Sequence, residues 1–523
     1  MSENTGEIKQ QEWQLPKNPY LPTIAVMIAT FIAILDSTVA NVALPHMAGS
    51  LSATNEEVTW VLTSYIVASG IILPSVDWFS KVFGRRNYLI FCIILFTVSS
   101  ILCGLSTSLD QIVLARVLQG LGGGALMPLS QAILLESFPK EKQSVAMSIF
   151  GFGVLFAPII GPLVGGWITD SYSWHWIFYI NIPFGILAIA LIKMWVVDPP
   201  YAQKQGMQKI DFWGFFFLVV WISSLQVVLD KGNNADWFGS AWVCWLTVIC
   251  IASMICFFLS QLKGKDTLLD LSIFKNKNYA IGTATLTLVM GVMYASMTIM
   301  PLFLQNLLGY NAFLSGYAIM PRGLGSLAAI ILTSFLPDKI NDRLLGVGLI
   351  LIALSCFIFG TLNINISMYN IIIPNLLMGF GIGCCMIPIT TLSMRTVKNH
   401  ELTNATGIQS LMKEVGGAVG TSLVATMLSR FSQMHQVNMV GHLNNLNPVF
   451  VAKLNANISA LSQFFHVSVA EVKANYLLYT ELLRQSSLWS YMDTFRIVGV
   501  ACLVVFPLVF LFDYEVKISD TKE

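Results

Sequence analysis

A chain of 523 residues, 55% hydrophobic and 11% charged, carries less than half of the roughly 25% charged residues of a soluble domain and reads as a polytopic membrane protein. Its formal net charge of +1 excludes the basic surface that nucleic acid requires, and equally a large acidic one. The nine cysteines sit in apolar stretches away from histidine; they read as small packing residues, with no metal or cofactor expected.

Residues 1–19 are polar and mixed in charge and form an expected cytoplasmic tail. No short apolar core there ends in a cleavage site, so removal of a signal peptide is not expected. A membrane-crossing helix needs about 20 apolar residues. Fourteen stretches qualify, at 20–44, 58–80, 87–106, 110–136, 143–169, 176–197, 211–229, 239–261, 278–305, 312–337, 344–362, 367–393, 402–430 and 491–513. An even number puts both termini on one side. With that side cytoplasmic, its loops and tails hold twenty lysines and arginines, against Lys231, Arg430, Lys453, Lys473 and Arg484 on the other. Lysine and arginine favour cytoplasmic loops, so the expectation is a multi-pass inner-membrane protein with both termini inside.

The first span contains ILDSTVANVALP at 34–45, placing Asp36 and Asn41 in an otherwise apolar helix. After the second span comes Asp77-Trp-Phe-Ser-Lys81-Val-Phe-Gly84-Arg85-Arg86, read as a cytoplasmic gating turn whose charges latch neighbouring helix ends. The fourth span opens with Arg116-Val-Leu-Gln119-Gly120, continues through glycines 122–124 and Pro128, and reaches Gln131. A charge at membrane depth costs a few kcal/mol and is kept where it meets a partner or a polar interior. The fifth span holds Ala157-Pro158-Ile-Ile-Gly161-Pro162-Leu-Val-Gly165-Gly166, whose small residues are expected to lie against a helix of the other half of the molecule. Asn181 opens the sixth span, Arg322 lies in the tenth, and Lys413-Glu414 precedes Gly416-Gly417 in the thirteenth.

The alternating glycines 120, 122 and 124 before Pro128 return as Gly379, Gly381 and Gly383 before Pro388, and the loop after the second span has a weaker echo at Leu336–Arg343 that keeps an acid, Asp338. Spans nine to fourteen thus repeat spans one to six. The expected layout is a six-helix bundle at 20–197, an inserted pair with its loops at 198–277, a six-helix bundle at 278–513 and a tail at 514–523. Two such halves around a central site are what alternating access requires. Residues 431–490 are expected as a periplasmic loop with about two amphipathic helices lying over the cavity mouth, either docking a partner or shielding the surface.

These motifs resemble those of the major facilitator superfamily. Arg116-Val-Leu-Gln119-Gly120 is similar to its helix-four motif RxxQG. Residues 34–45 resemble the helix-one motif of the 14-helix drug:proton antiporters, and 157–166 their GPxxGG motif. The 77–86 turn departs from the family pattern GxLaDRxGRK, with Asp77 replacing the first glycine and Lys81 the acid. Similar pieces recur at Trp174–Pro183, Asp211–Gly214, Leu225–Gly232, Leu269–Lys275, Pro321–Gly325 and Tyr491–Arg496. Within the family the likeness is greatest to the EmrB-type pumps, and it implies an all-α membrane fold of 14 transmembrane helices. It further implies proton-driven export of hydrophobic toxic compounds with a periplasmic, EmrA-like adaptor and an outer-membrane channel.

On this reading Asp36, partnered by Arg116, is the proton-sensitive acid and Glu414 the second candidate. Asn41, Gln119, Gln131, Asn181, Arg322 and Lys413 are expected in the substrate cavity; Gly84, Arg85, Arg86, Pro158, Gly161, Pro162, Gly165 and Gly166 serve gating and packing. An alternative is export of an endogenous amphiphile such as a fatty acid. A membrane-embedded enzyme is disfavoured because no helix-borne His, Cys or acid pair has metal-ligand spacing, and an ATP-driven pump because no G-x-x-x-x-G-K-[ST] loop is present.

Overall fold

A computed structural model describes residues 16, 18–54, 57–139, 142–199, 211–263, 269–336 and 338–513. The expected tails at 1–19 and 514–523 therefore lie largely or wholly outside the described residues, as do the side chains of Pro162 and Asp338. In chain order the helices are α1 Tyr20–Ser50, α2 Trp60–Ile72, α3 Val76–Phe83, α4 Arg85–Leu105, α5 Leu109–Gly123, α6 Leu126–Ser137, α7 Gln143–Ser171, α8 Trp176–Tyr179 and α9 Asn181–Trp195. They continue with α10 Phe212–Lys231, α11 Ala241–Lys263, α12 Lys277–Leu302, α13 Ala312–Phe335, α14 Asp338–Phe359, α15 Tyr369–Met394, α16 Leu402–Val440, α17 Pro448–Leu461 and α18 Val467–Val505. No strand occurs among the described residues.

Thirteen stretches among the described residues are long and apolar enough to cross a membrane. The remaining expected span is α16. It is less apolar because it carries Lys413, Glu414 and many small polar residues, but it packs along α12 and α18 and against α6. A helix that buries its polar side against other helices does not need the hydropathy of a lipid-facing one.

Several spans are broken where proline or glycine dictates. Pro74 sits in a 3-10 turn between α2 and α3. Pro128 cannot donate to the Gly124 carbonyl, and the fourth span divides there into α5 and α6. The sixth span divides at Ile180, with Asn181 starting α9 and Pro183 two residues on.

The two glycine runs are used alike. α5 lies in the groove between α2 and α4: a Cβ on Gly120 would fall on the Tyr65 carbonyl, and one on Gly122 would stand 2.7 Å from the Phe96 nitrogen. α15 lies in the same way between α13 and α14, with Gly379 against the Arg322 carbonyl and Gly381 2.7 Å from the Gly348 oxygen.

On the face where α1 begins, the terminal face, one apolar core joins both ends of the chain: Ala25, Leu129 and Met147 share it with Ile330, Met394, Leu402 and Ile408. Toward the opposite, distal face the core splits. One cluster around Val39, Ala43, Ile112 and Phe178 belongs to α1–α9 alone, and another around Met293, Phe303, Ile352 and Phe495 belongs to α12–α18. The bundle is therefore sealed at the terminal face and divided toward the distal one.

The 431–490 region differs from a loop folded over a cavity. α16 continues to Val440 and α18 begins at Val467, so both run 39 residues without interruption, about 58 Å each. Residues 431–440 and 467–490 contain no glycine or proline to end a helix, and the turn is confined to Gly441–Asn447 plus the α17 region. Ala470, Ala474, Leu478 and Leu482, spaced every four residues, form the buried seam of the projecting part of α18.

Candidate functional site: a buried ion pair and a separate acidic cleft

Asp36 lies in the middle of α1 with a side chain 1% exposed, and three donors converge on it. Arg116 Nη1 donates to Oδ2 at 2.5 Å, while Gln119 Nε2 and Asn181 Nδ2 donate to Oδ1 at 3.0 and 2.7 Å. The RxxQG spacing accounts for two of them: residues three apart on a helix share a face, so Arg116 and Gln119 point at the same acid and also meet each other at 2.8 Å. Asn181 reaches it because the break at Ile180 puts the side chain at the first turn of α9, where it also donates to Ser100 Oγ at 2.9 Å.

Arg116 is fully buried. Its Nε donates to the Val61 carbonyl at 3.0 Å, and its guanidinium lies 4.5 Å from the Tyr65 ring centroid and 5.7 Å from that of Phe178. A buried ion is tolerable only when its partner and its hydrogen bonds are supplied together. Here they are supplied from α1, α2, α4, α5, α8 and α9 at once, and losing the contact to α1 leaves Arg116 without its counter-charge while its bonds to Val61 and Gln119 remain. Ser100, Val61, Tyr65 and Phe178 escaped the sequence reading; serines, carbonyls and aromatics give no spacing signal that separates such partners from ordinary packing.

Glu414 does not join this centre. It lines a cleft of about 130 Å³ with Thr63 and Ile66 of α2, Gln226, Leu229 and Asp230 of α10, Tyr294 of α12, and Gly417, Ala418 and Thr421 of α16. Lys413, its neighbour, is buried and points about 100° away along the helix. Arg322 is buried in the second half; it donates to Asn375 Oδ1 at 3.2 Å and to Ser296 Oγ at 3.4 Å, and no carboxylate lies within salt-bridge distance among the described residues. Gln131 is buried beside Met147, whereas Asn41 is exposed.

At the terminal face, Gly84 adopts φ 84°, a left-handed value that suits glycine, and turns α3 into α4. Arg85 then pairs with Glu136 at the end of α6, the Arg86 N–H donates to the Asp198 carboxylate at 2.9 Å, and its guanidinium donates to the Lys193 carbonyl. Burial pushes the Asp198 carboxyl above its ordinary range. These contacts tie α4 to α6 and to the end of α9, all within the first six spans. Lys81 pairs with Asp77 on its own helix at 2.6 Å. Across the repeat the signs are exchanged: Asp342 lies in the second turn of α14, the equivalent of α4, and Arg395, after α15, grips it through two bonds of 3.0 and 3.1 Å.

The glycine-proline stretch of α7 is placed differently from its expected role. Gly161 and Gly165 face Thr38 and Val39 of α1, in the same half, while Gly166 has open space beside it. Pro158 is half-buried. The contacts of α7 with the other half, to α13 and α15, include Gly151 against Ile330 nearer the terminal face. Small-residue spacing reveals a close approach but not which neighbour makes it.

Comparison with known proteins agrees with this architecture. The family model described as Major Facilitator Superfamily matches residues 26–421. The chain is 33% identical to "Probable multidrug resistance protein EmrY" of Escherichia coli over 93% of its own length and 94% of that protein. It is 33% identical to "Multidrug export protein EmrB" of Haemophilus influenzae over 82% and 84%. It is 29% identical to "Fatty acid resistance protein FarB" of Neisseria gonorrhoeae over 94% and 95%. Among solved structures, the human organic anion transporter MFSD10 superposes with a TM-score of 0.64 at 12% identity, covering 94% of this chain and 99% of that one, a likeness of fold. The motifs, the helical architecture and these matches lead to one conclusion: the chain belongs to the major facilitator superfamily, among its EmrB-type exporters.

Proposed function

We propose that this protein is a drug efflux transporter that expels hydrophobic toxic compounds across the inner membrane in exchange for protons. The observation that carries the coupling is the buried Asp36–Arg116 pair, a charge centre whose partners come from six helices. Proton uptake by Asp36 removes the negative charge that offsets Arg116 and weakens its acceptance from Gln119 and Asn181, so protonation and helix arrangement are linked. Glu414 is the second candidate for the coupling acid. Gln119 and Asn181 act through the Asp36 centre, whereas the buried Gln131, Arg322 and Lys413 supply scattered polarity to an otherwise apolar interior suited to poorly specified ligands, and Asn41 is exposed.

The two six-helix halves move against each other around the inserted pair, with both termini in the cytoplasm. In the conformation described, the cytoplasmic side is closed by the shared core. The projecting α16–α17–α18 hairpin supports docking of an EmrA-like periplasmic adaptor leading to an outer-membrane channel: Leu446, Phe464 and Val437 expose 94, 79 and 74% of their surface there. The similarity to FarB favours a second reading, export of a fatty acid or comparable amphiphile through the same path. The test is made in proteoliposomes under an inward proton gradient, following lumenal pH on addition of a dye-like lipophilic cation that carries no proton of its own. Substrate-dependent flux in wild type that vanishes in Asp36→Asn supports antiport at Asp36; flux surviving the substitution moves coupling to Glu414, and no flux with any lipophile overturns the antiport reading.

A further inference from the structure

The inserted helix α10 does not stand apart from the two halves. It packs on α2 of the first and on α16 of the second, closing the seam between them. At its distal end the chain forms a strap to both sides. Asp230 accepts from Thr63 Oγ1 at 2.8 Å, and Lys231 meets Thr59 and stands 5.3 Å from the Trp60 ring centroid, all on the α2 side. On the α16 side, Trp237 Nε1 donates to Thr426 at 3.1 Å and Arg430 pairs with Asp236 at 2.8 Å. Beneath this strap lies the cleft that contains Glu414.

The lining of the cleft is chemically selective. Glu414 has no basic nitrogen within salt-bridge distance among the described residues. Lys231, next to the lining residue Asp230, is held by Asp230 and Thr59, and the buried Lys413 points away from Glu414 along the helix. Tyr294 packs one side of its ring on Gly417, where a Cβ would come within 3.1 Å of ring carbons, and is exposed to the cleft on the remainder. Ile66 and Leu229 supply apolar walls. An unpaired carboxylate, an aromatic face and aliphatic walls are what a lipophilic cation requires: charge neutralisation, cation–π attraction and apolar contact. The volume, about 130 Å³, falls below the roughly 300–1,000 Å³ of a pocket for a drug-sized ligand. It suits one substituted onium head group, with the remainder of the ligand lying along the seam.

We infer that the seam between α2, α10, α12 and α16 is a binding subsite for the head of a lipophilic monocation, with Glu414 as counter-charge and the inserted helix as its wall. This rests on the export function proposed above and gives the inserted pair a role in it: α10 converts an inter-half seam into a ligand site beside the ion-pair centre. The subsite is separate from Asp36, since its acid shares no hydrogen-bond partner with that carboxylate.

The experiment measures equilibrium binding of radiolabelled tetraphenylphosphonium and of benzyldimethyldodecylammonium to the purified full-length protein in nanodiscs. Glu414→Gln is expected to weaken both at least tenfold. Leu229→Trp, which fills the cleft from the inserted helix and leaves the acid in place, is expected to weaken them comparably while the protein remains monodisperse and retains wild-type affinity for an anionic lipophile. Unchanged cation binding in either monodisperse variant overturns the subsite, as does equal loss of the anionic ligand in Leu229→Trp. Proton flux driven in wild-type proteoliposomes by a lipophilic anion that is not itself a protonophore, and absent from protein-free liposomes, separates the two levels. Flux together with unchanged cation binding in the variants refutes the subsite and leaves export standing; absence of flux refutes the export reading itself.

Discussion

Replacing Asp36 by asparagine tests the ion-pair centre as a structural unit. The change removes the carboxylate that, among the described residues, pairs with Arg116, a guanidinium with no exposed surface. Removing one partner of a buried pair costs about 3–5 kcal/mol because the other charge is left uncompensated. Arg116 keeps the Val61 carbonyl, Gln119 Oε1 and the Tyr65 face, which places the expected loss near the lower end, about 3 kcal/mol. One donor among Gln119 and Asn181 must also turn to suit the new amide. The assay is chemical unfolding in detergent of wild type, Asp36→Asn, Arg116→Gln and the double variant. The two losses should fail to add, with a coupling of about 2 kcal/mol, since contacting residues in one network couple by 0.5–3 kcal/mol. Losses that add to within about 0.5 kcal/mol, or an Asp36→Asn protein as stable as wild type, would refute the energetic account.

Gly379→Ala should destabilise by about 3 kcal/mol or prevent folding, since the new methyl falls on the Arg322 carbonyl, while Gly166→Ala, with open space around it, should leave the melting temperature within a degree or two. Arg430→Ala should cost less than about 1 kcal/mol, because its pair with Asp236 is largely exposed, yet hydrogen exchange in residues 230–240 should quicken as the strap loses one tether. Deletion of the α17 turn, residues 441–466, should abolish co-purification with a periplasmic adaptor and leave membrane insertion unchanged; retained co-purification would remove the hairpin from the docking surface.

The membrane spans were legible because lipid imposes a length and a hydropathy that no other setting demands. Even α16, whose polar residues dilute its hydropathy, could be recognised from its place in the repeat. The Asp36–Arg116 association could also be anticipated, since an acid and an arginine at membrane depth each need a partner; Gln119, expected in the substrate cavity, instead joins them because the i, i+3 spacing aims it with Arg116 at the same acid. Asn181 became part of it only through the break in the sixth span. The surroundings of Glu414 could not be read, because they depend on where an inserted helix docks, and nothing in the α10 sequence names α2 and α16 as its neighbours. The ends of α16 and α18 were misjudged for the opposite reason: hydropathy falls at the membrane boundary, but helicity runs on past it, in α16 as far as Gly441 and in α18 from Val467.

The length of α16 joins two regions that hydropathy alone would treat as separate. From Glu414 to Val440 the helix is unbroken, about 39 Å at 1.5 Å per residue. A tilt of about 10° pivoting near Glu414 would displace the tip by about 7 Å on that length. The projecting hairpin is thus a mechanical pointer fixed to the interior, with Ser490 Oγ bonded to the Leu428 carbonyl at 2.7 Å and His435 to Asp493 at 2.8 Å keeping its two shafts in register. A partner gripping the tip would feel each turn of the transport cycle as displacement, and by the same rigidity a load applied at the tip would press back on the helix that carries the acid.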